Sequence, residues 1–507
     1  MKVAGKGITK YGVALLAIVL IGFFLRIYQL GTQSIWYDEA YSLWISKLAV
    51  TQMVQTTAGD VQPPLYYFLL HYWMIVFGTS ASAVRLLSVL FGVLAIPMIY
   101  VVGRQLFNKE AGLVGALILA LSSFNIWYSQ ETRMYSLMVF LTLLSMFFFL
   151  CFLQRSALAV SAGYVLSTVL LLYTHYYGVF VVIAQNIYIV TFLVISKQRT
   201  YKLRHWVGLQ AIVLALFAPW MVVLSSQSFA GPGAWLTKPT ASTLIYAFIR
   251  YSGTALLWAA MLSALFLGLS VFSLFAHQKV RGAMDWKAPL KSLESYSWEV
   301  RIQDLTPVYF LAVWLFAINL IPFVVSLVST PIYVDRYVIA GSAALYLLVA
   351  KGIRNINYKP TKLAVIGVVA VLSVASLPSY YFGVTRPQTR EATSLIDANF
   401  KNGDVVLVYP SEYQIAFNYY NNKTDVAANM ISSQATPSPN GTAVCQTGGF
   451  LSSVTGHDRV WFFCASPRPQ SENATMNFIF SALNESYAMS YVKSYYGYNV
   501  YLYETRA

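Results

Sequence analysis

Long apolar blocks, separated by short polar connections, make up most of the first 385 residues of the chain. A helix needs roughly 20 residues to cross a bilayer, and only helices and closed barrels satisfy their backbone groups in lipid. The blocks lack the alternation of barrel strands, so the pattern predicts a polytopic α-helical membrane protein. About eleven spans are predicted, near residues 11–30, 82–103, 111–128, 134–153, 157–173, 176–196, 205–224, 255–276, 307–328, 337–350 and 362–382.

One apolar segment, residues 64–77, is too short to span a bilayer as a helix. Its tyrosines, histidine and tryptophan suit the level of the lipid headgroups. Counting it as a span would also move every later basic connection to the opposite side. We therefore expect an interfacial or re-entrant helix within a first outer loop at 31–81.

After Phe382 the composition becomes polar, and strand and helix patterns alternate. Short apolar runs bounded by turn residues predict buried strands at 404–409 and 459–464, with a last strand at 498–503. Helices are predicted at 411–420 and 473–491. The sequence thus predicts a transmembrane domain over residues 1–385 and a soluble α/β domain over residues 386–507.

The net charge of +15 arises from 34 lysines and arginines against 19 acidic residues. In a soluble protein this excess would suggest nucleic acid, but in a membrane protein basic residues mark the cytoplasmic loops. Alternate connections, together with the basic N-terminus, hold more than half of the 34. We therefore expect a multi-pass protein of the cell membrane with a cytoplasmic N-terminus, an extracytoplasmic C-terminal domain and no nucleic-acid partner. In that setting Cys445 and Cys464 could form a disulfide.

With this topology, a small set of carboxylates in the membrane portion faces outward. Ionisable groups beside a bilayer are costly, so such a set is a functional-site hypothesis by default. The members are Asp38, Glu39, Asp60, Glu131 and Asp335. Asp38 and Glu39 lie among aromatic residues that commonly stack on sugars, and adjacent carboxylates can serve as a general base or hold a divalent cation. Alternatively they are two solvated acids on a capped interfacial helix, and Asp60 is equally well a plain helix cap.

Arginines follow the same outer face. Arg133 offers a planar fork for phosphate, or else makes a structural contact with Glu131. Arg336, flanked by Tyr333 and Tyr337, could bind a lipid phosphate or reach ordinary headgroups. Further candidates are Arg85 and, more weakly, Lys47 and Arg250; His175 on the same side is more often a structural group than a base.

No phosphate-binding loop, zinc-protease motif or nucleophile elbow occurs in the chain. The sequence therefore gives no sign of nucleotide-driven chemistry. This favours a donor that is already activated on the outer face, where nucleotide sugars are scarce.

At these residues the sequence resembles the GT-C glycosyltransferases. It looks most like the family that contains the dolichyl-phosphate-mannose protein mannosyltransferases and the bacterial aminoarabinose lipid A transferases. The matching stretches run in family order: YDEA at 37–40, QPPLYY at 62–67, VRLLS at 84–88, WYSQETRMY at 127–135, YTHYYG at 173–178 and DRY at 335–337. Two departures concern particular branches. Gln62 stands where the aminoarabinose branch carries a lysine, and the WWD motif of oligosaccharyltransferases is missing.

The resemblance implies a GT-C fold and transfer of a sugar from a polyprenyl-phosphate donor to a protein, glycan or lipid acceptor outside the cytoplasm, usually with inversion. It implies that Asp38 is the catalytic carboxylate and that Glu39 supports it. No cofactor is certain, although a divalent metal at these two carboxylates stays open. It also implies that arginines such as Arg133 and Arg336, with help from tyrosines, hold the lipid phosphate. The residue patterns and the resemblance together predict these substrate-binding residues: Asp60, Arg85, Tyr128, Glu131, Arg133, Tyr135, His175, Tyr333, Arg336 and Tyr337.

Two other classes compete with a transferase. A transporter or flippase of a lipid-linked substrate would place charges near the membrane midplane, often with internal repeats. Here the charges lie at helix ends, and no convincing repeat is present. A structural or sensing membrane protein would use the C-terminal domain to bind a partner.

Overall fold

The computed structural model describes residues 10–506 apart from 61, 197–199, 227–235, 281–295, 300–301, 423–429, 433–434, 438–442, 446–453, 455 and 466–469. The chain forms two compact units. The membrane unit comprises Met1–Tyr28 and Leu48–Phe382, and the sheet unit comprises Gln29–Lys47 and Gly383–Ala507. The sheet unit thus takes in the start of the first outer loop as well as the C-terminal region.

Helices make up nearly all of the membrane unit. In chain order the helices are α1 (Lys10–Ile27), α2 (Tyr37–Lys47), α3 (Val50–Ala58), α4 (Leu65–Phe77), α5 (Ala81–Leu106), α6 (Lys109–Leu121), α7 (Ser123–Ser129), α8 (Tyr135–Gln154), α9 (Leu158–Thr174), α10 (Gly178–Ser196), α11 (Thr200–Ser226), α12 (Ala241–Ser252), α13 (Leu256–Phe272), α14 (Ile302–Val328), α15 (Ser342–Asn355), α16 (Lys359–Ala375), α17 (Leu377–Phe382), α18 (Thr389–Asn399), α19 (Gln414–Tyr420) and α20 (Gln470–Ser486). Of these, α2 and α18 to α20 belong to the sheet unit. A two-stranded hairpin, β1 (Ala276–Val280) and β2 (Tyr296–Glu299), follows α13.

The membrane unit is a membrane-protein fold, but the predicted count of eleven spans is not confirmed. Among the described residues, six helices are long and apolar enough to cross a bilayer, or up to eight if each bent pair is one span. The bent pairs are α6 with α7 and α12 with α13, while α4, α9 and the described part of α10 are shorter apolar helices. The span predicted at 337–350 is a 3₁₀ turn followed by α15, which has 14 residues. Nearly all of α15 is buried, because it is a core helix rather than a lipid-facing one.

A bend between α6 and α7 shapes the loop that follows them. The two helices meet at 61°. The bend leaves the last carbonyls of α6 without partners within the helix. Arg26, which is fully buried in α1, donates to the carbonyls of Leu119 and Ala120 at 3.0 and 3.1 Å and to the Ser129 hydroxyl at 3.1 Å. The loop between α7 and α8 is therefore tied to α1.

A five-stranded mixed sheet forms the centre of the sheet unit. Its strands are β3 (Val405–Tyr409), β4 (Met430–Ser432), β7 (Arg459–Ala465), β8 (Tyr487–Tyr495) and β9 (Tyr498–Thr505), in the order β4-β3-β7-β9-β8. β3 runs parallel to β4 and β7, whereas β9 is antiparallel to β7 and β8. A separate two-stranded pair, β5 (Ala435–Pro437) and β6 (Ala443–Cys445), lies between β4 and β7 in the sequence. Helices cover both faces of β3 and β7, which explains their uninterrupted apolar runs.

The structure confirms the strands predicted at 404–409, 459–464 and 498–503 and the helical segment at 411–420. The helix predicted at 473–491 is wrong in its last part, because α20 ends at Ser486 and β8 begins at Tyr487. β8 is an edge strand that is exposed on both faces and therefore shows no clean alternation. The predicted disulfide involves the Cys445 side chain, which lies outside the described residues.

Candidate active site

Arg133 lies in the loop between α7 and α8 and is 6% exposed. Its guanidinium is 3.5 Å from the Tyr67 hydroxyl in α4. Its carbonyl accepts a hydrogen bond of 3.1 Å from Ser88 in α5, and the Ser88 hydroxyl is 2.9 Å from that of Tyr66. Contacts from α4 and α5 thus hold both the backbone and the side chain of this arginine.

Arg336 reaches the same place from the segment before α15. Its Nε donates to the Tyr135 hydroxyl at 3.1 Å, and its guanidinium lies 5.5 Å from the centre of the Tyr337 ring. Tyr135 stacks on Tyr337 with the ring centres 6.2 Å apart. Because Tyr135 follows Arg133 by two residues at the start of α8, this hydrogen bond ties Arg336 to the segment that carries Arg133.

His175, in the turn between α9 and α10, completes this group. Its Nδ1 accepts the Tyr177 backbone N–H at 3.1 Å, so the neutral ring carries its hydrogen on Nε2. The Nε2 atom is buried and has no hydrogen-bond partner among the described residues. Burial, followed by the charges of Arg133 and Arg336, lowers the pKa of His175 to about 3. The ring is therefore neutral at physiological pH, and its Nε2–H is a hydrogen-bond donor.

A second arginine system lies beside this group. Arg250 in α12 forms an ion pair with Asp335, with Nε and Oδ2 3.3 Å apart. Its guanidinium also lies over the rings of Phe124 and Trp127, at 5.3 and 5.2 Å from their centres. Asp335 also accepts the backbone N–H of Arg336 at 2.8 Å through Oδ1. Asp335 thus holds the Arg336 segment in place.

An apolar cavity of about 660 Å³ has His175 and Tyr337 in its lining. Its walls come from α9, α10, α11 and the segment before α15. Most of the lining is aliphatic or aromatic, including Leu172, Phe180 and Phe217. Gln62 lies at the same cavity with a buried Oε1 that has no partner among the described residues. The cavity therefore combines a mostly apolar lining with a few polar groups.

The predicted tyrosines lie in or next to this cluster. Tyr128 packs edge-on against Tyr135, with the ring centres 5.0 Å apart. Tyr333 is buried against Phe323, and its hydroxyl has no partner among the described residues. Burial and the nearby Asp335 raise the pKa of Tyr333, so that its hydroxyl stays protonated.

Other predicted residues take different positions. Arg85 is 1% exposed in α5, one turn before Ser88, and Glu131 is 1% exposed in the same loop as Arg133. Asp60 lies in the turn after α3, and Lys47 is exposed at the end of α2 in the sheet unit. Their substrate-binding roles stay predictions.

Asp38 and Glu39 are neighbours in the first turn of α2, but their surroundings differ. Asp38 is half-buried. Glu39 is fully buried and pairs with Arg386, with Oε2 and Nη1 3.0 Å apart. A buried carboxylate that is held by an arginine is a poor ligand for a metal ion. The described residues contain no group of three or more histidine, cysteine or acidic side chains that could hold one, so the donor set here does not fit a divalent cation.

The sequence reasoning did not identify several residues that build the site. Tyr66, Tyr67 and Ser88 lie within the motifs at 62–67 and 84–88, which offered a signal. Tyr177, likewise within a motif, fixes the His175 tautomer through its backbone. Arg386 carried no signal, because its partner is Glu39, far away in the sequence.

Comparisons with known proteins agree with this architecture. Residues 61–223 match the model of a family described as dolichyl-phosphate-mannose-protein mannosyltransferase. The structure of ArnT from Cupriavidus metallidurans bound to undecaprenyl phosphate matches with 13% identity and a TM-score of 0.61, covering 98% of each chain. The Archaeoglobus fulgidus oligosaccharyltransferase matches with 11% identity and a TM-score of 0.51, covering 97% of this chain and 74% of that one. None of the curated proteins matches.

These similarities confirm the resemblance predicted from the motifs. The chain has the GT-C fold, with membrane helices and a smaller C-terminal sheet. At 11–13% identity the structural likeness establishes the fold alone.

Proposed function

We propose that this protein is a membrane glycosyltransferase that moves a sugar from a polyprenyl-phosphate donor to a hydroxyl of a protein, glycan or lipid acceptor on the extracytoplasmic face. The main support is that Arg133 and Arg336 lie close to neutral His175, which lines the apolar cavity. The family model that matches residues 61–223 and the ArnT complex with undecaprenyl phosphate point to the same donor class.

The two ends of such a donor need opposite surroundings. A polyprenyl chain needs an apolar surface, and the cavity lining is largely aliphatic and aromatic. Its phosphate needs cations and hydrogen-bond donors, which Arg133, Arg336 and the Nε2–H of His175 supply. His175 lines the cavity and is also one of the hydrogen-bond donors to the phosphate.

The chemistry then needs a stabilised leaving group and a base. The bond between the anomeric carbon and the phosphate oxygen breaks, and the two arginines stabilise the negative charge that develops on polyprenyl phosphate. The acceptor oxygen attacks the anomeric carbon from the opposite face, so the configuration inverts. The acceptor proton passes to the carboxylate of Asp38, which acts as general base.

Asp38 suits the role of base better than Glu39 does. Asp38 is half-buried and therefore accessible to an acceptor, whereas Glu39 is fully buried against Arg386. Glu39 is ionised in its ion pair, so uptake of a proton by its carboxylate would leave Arg386 buried without its counter-charge. We assign Glu39 a supporting role only.

The test uses the purified protein in lipid nanodiscs with a panel of polyprenyl-phosphate sugars, and it measures release of free polyprenyl phosphate. We expect wild type to release it from at least one donor and Asp38→Asn to turn over about 10²- to 10⁴-fold more slowly, the usual contribution of a general base. Paired Arg133→Gln and Arg336→Gln variants should weaken donor binding. Lys493→Gln, at an exposed position of β8, is the control.

Equal turnover by wild type and Asp38→Asn would overturn the assignment of the base. Donor binding without release, even with acceptor mixtures present, would favour a transporter or flippase. Absence of donor binding would contradict the proposed function altogether.

A further inference from the structure

A buried ion pair joins the first outer loop to the C-terminal region within the sheet unit. Glu39 is 0% exposed and Arg386 is 3% exposed, and their charged atoms are 3.0 Å apart. The two residues are 347 positions apart in the sequence. Burying two charges is costly, and removing one partner leaves the other without compensation. Such a pair therefore enforces one arrangement of the two segments that carry it.

The segment just before α2 is fastened to the same part of the sheet unit. Arg390 donates to the carbonyls of Gly31 and Thr32 at 3.0 and 3.3 Å. The Ser34 hydroxyl donates to Glu391 at 2.8 Å. These contacts come from the first turn of α18, directly after Arg386. Hydrogen bonds thus hold the segment that leads into α2, while the ion pair of Glu39 holds α2 itself.

Asp38 depends on this arrangement because it is the neighbour of Glu39 in the first turn of α2. Consecutive residues of a helix point about 100° apart. Glu39 is turned into the core towards Arg386, which leaves Asp38 half-buried at the side. Tyr37, on the other side of Asp38, packs against Tyr413 with ring centres 5.1 Å apart. Both flanking residues of Asp38 therefore have partners in the C-terminal region.

We propose that Arg386 is a positioning residue for the transfer reaction: through its buried ion pair with Glu39 it fixes the orientation of α2 and hence of the Asp38 carboxylate. This inference rests on the proposed function, because it takes Asp38 as the base. It assigns a role in the reaction to the C-terminal region, which acts by holding the helix that carries the base.

The experiment compares Arg386→Gln, Arg386→Lys, Glu39→Gln and the double variant Glu39→Gln with Arg386→Gln in the full-length protein. Lys493→Gln, at an exposed position of the same unit, is the matched control. The readouts are kcat, direct binding of polyprenyl phosphate, and hydrogen–deuterium exchange of peptides from residues 35–47, from β7 and from α8. The exchange readout does not depend on enzymatic activity.

We expect Arg386→Gln to lower kcat about 10²-fold, the scale of a small misplacement of a reacting group, with polyprenyl-phosphate binding unchanged. Protection of peptides 35–47 should fall, while that of α8 should not. Arg386→Lys should recover part of the lost kcat because it keeps the charge. The double variant should lose less than the product of the two single losses, because it leaves no unpaired charge.

Unchanged kcat and unchanged exchange of peptides 35–47 in Arg386→Gln would overturn the positioning role. Loss of protection in β7 and α8 together with 35–47 would also overturn it, because the pair would then act on stability alone. If wild type releases polyprenyl phosphate from no donor, the proposed function fails, while the exchange data still decide whether Arg386 holds α2.

Discussion

His175 is a buried histidine whose protonation state follows from its neighbours. The Tyr177 backbone N–H occupies Nδ1, and Arg133 and Arg336 add positive charge to an already desolvated ring. Its pKa in the folded protein is about 3, against about 6.5 in an unfolded chain. At physiological pH the ring is therefore neutral, and it suits the role of hydrogen-bond donor rather than that of general acid or base.

This depressed pKa makes a stability prediction with a definite sign. Below pH about 6.5 the unfolded chain takes up a proton at His175, but the folded protein does not until pH about 3. The free energy of unfolding is therefore highest above the unfolded-state pKa and falls as the pH is lowered below it, by at most about 1.4 kcal/mol per pH unit. We expect His175→Gln to lose less thermal stability than wild type between pH 7 and 5. Parallel melting curves of the two proteins would contradict the assignment.

Sequence patterns predicted which polar residues belong to the candidate site, but they did not predict the contacts that these residues make. Arg133, Arg336, Tyr135 and His175 were all predicted, because charged and polar groups are rare in a chain of this composition. That Tyr135 accepts a hydrogen bond from Arg336 was not predictable, since this contact depends on how helices remote in sequence pack. The sequence left the role of His175 open and did not indicate which ring nitrogen has a partner: Nδ1 accepts a backbone N–H, and Nε2 has no partner among the described residues.

At the scale of elements, the bend between α6 and α7 requires a dedicated donor. Arg26 is fully buried and donates to Leu119, Ala120, Ser129 and its own helix at Gly22. Each buried carbonyl left without a donor costs about 1–3 kcal/mol. Gln130, which follows α7, donates to the Arg26 and Tyr28 carbonyls. The loop that carries Arg133 is therefore anchored to α1.

We expect Arg26→Met to destabilise the membrane unit by about 3–5 kcal/mol, because it exposes several carbonyls of the bend to an apolar interior at once. Arg26→Lys should destabilise it less, since an ammonium group satisfies part of the set. Thermal unfolding of the purified protein measures both. Leu20→Met, at an exposed position of the same helix, is the control. Equal melting temperatures for all three variants would show that the bend does not need this donor.

Helix lengths show where prediction of elements from the sequence reaches its limit. Long apolar blocks such as α5 and α8 were predicted within a few residues, because periodicity and length agree. α15 resembles a short span by composition, yet its surroundings are other helices. Burial in protein and burial in lipid select the same residue types, so the sequence does not separate them. β8 was missed for the opposite reason, since an exposed edge strand has no buried face to mark it.

At the scale of the whole molecule, the sheet unit combines residues 29–47 with residues 383–507. The sequence predicted a boundary near residue 386 and placed the first outer loop, 31–81, in the transmembrane domain. A break in composition marks where a chain leaves the membrane, but it carries no information on which distant segment then joins it. The ion pair of Glu39 with Arg386 is the clearest example.

Membrane topology gives the last prediction. Basic residues concentrate in connections that alternate with the outer motifs, so the positive-inside rule predicts that those connections are cytoplasmic. We therefore expect a cysteine at Lys493, exposed in β8, to react in intact cells with a membrane-impermeant maleimide. A cysteine at Arg204, exposed near the start of α11, should react only after the cells are permeabilised. Cys151 and the two C-terminal cysteines are first replaced by serine to remove their background. The reverse pattern would move Asp38 and the proposed donor site to the cytoplasmic face, where nucleotide sugars are present and a lipid-linked donor would no longer be required.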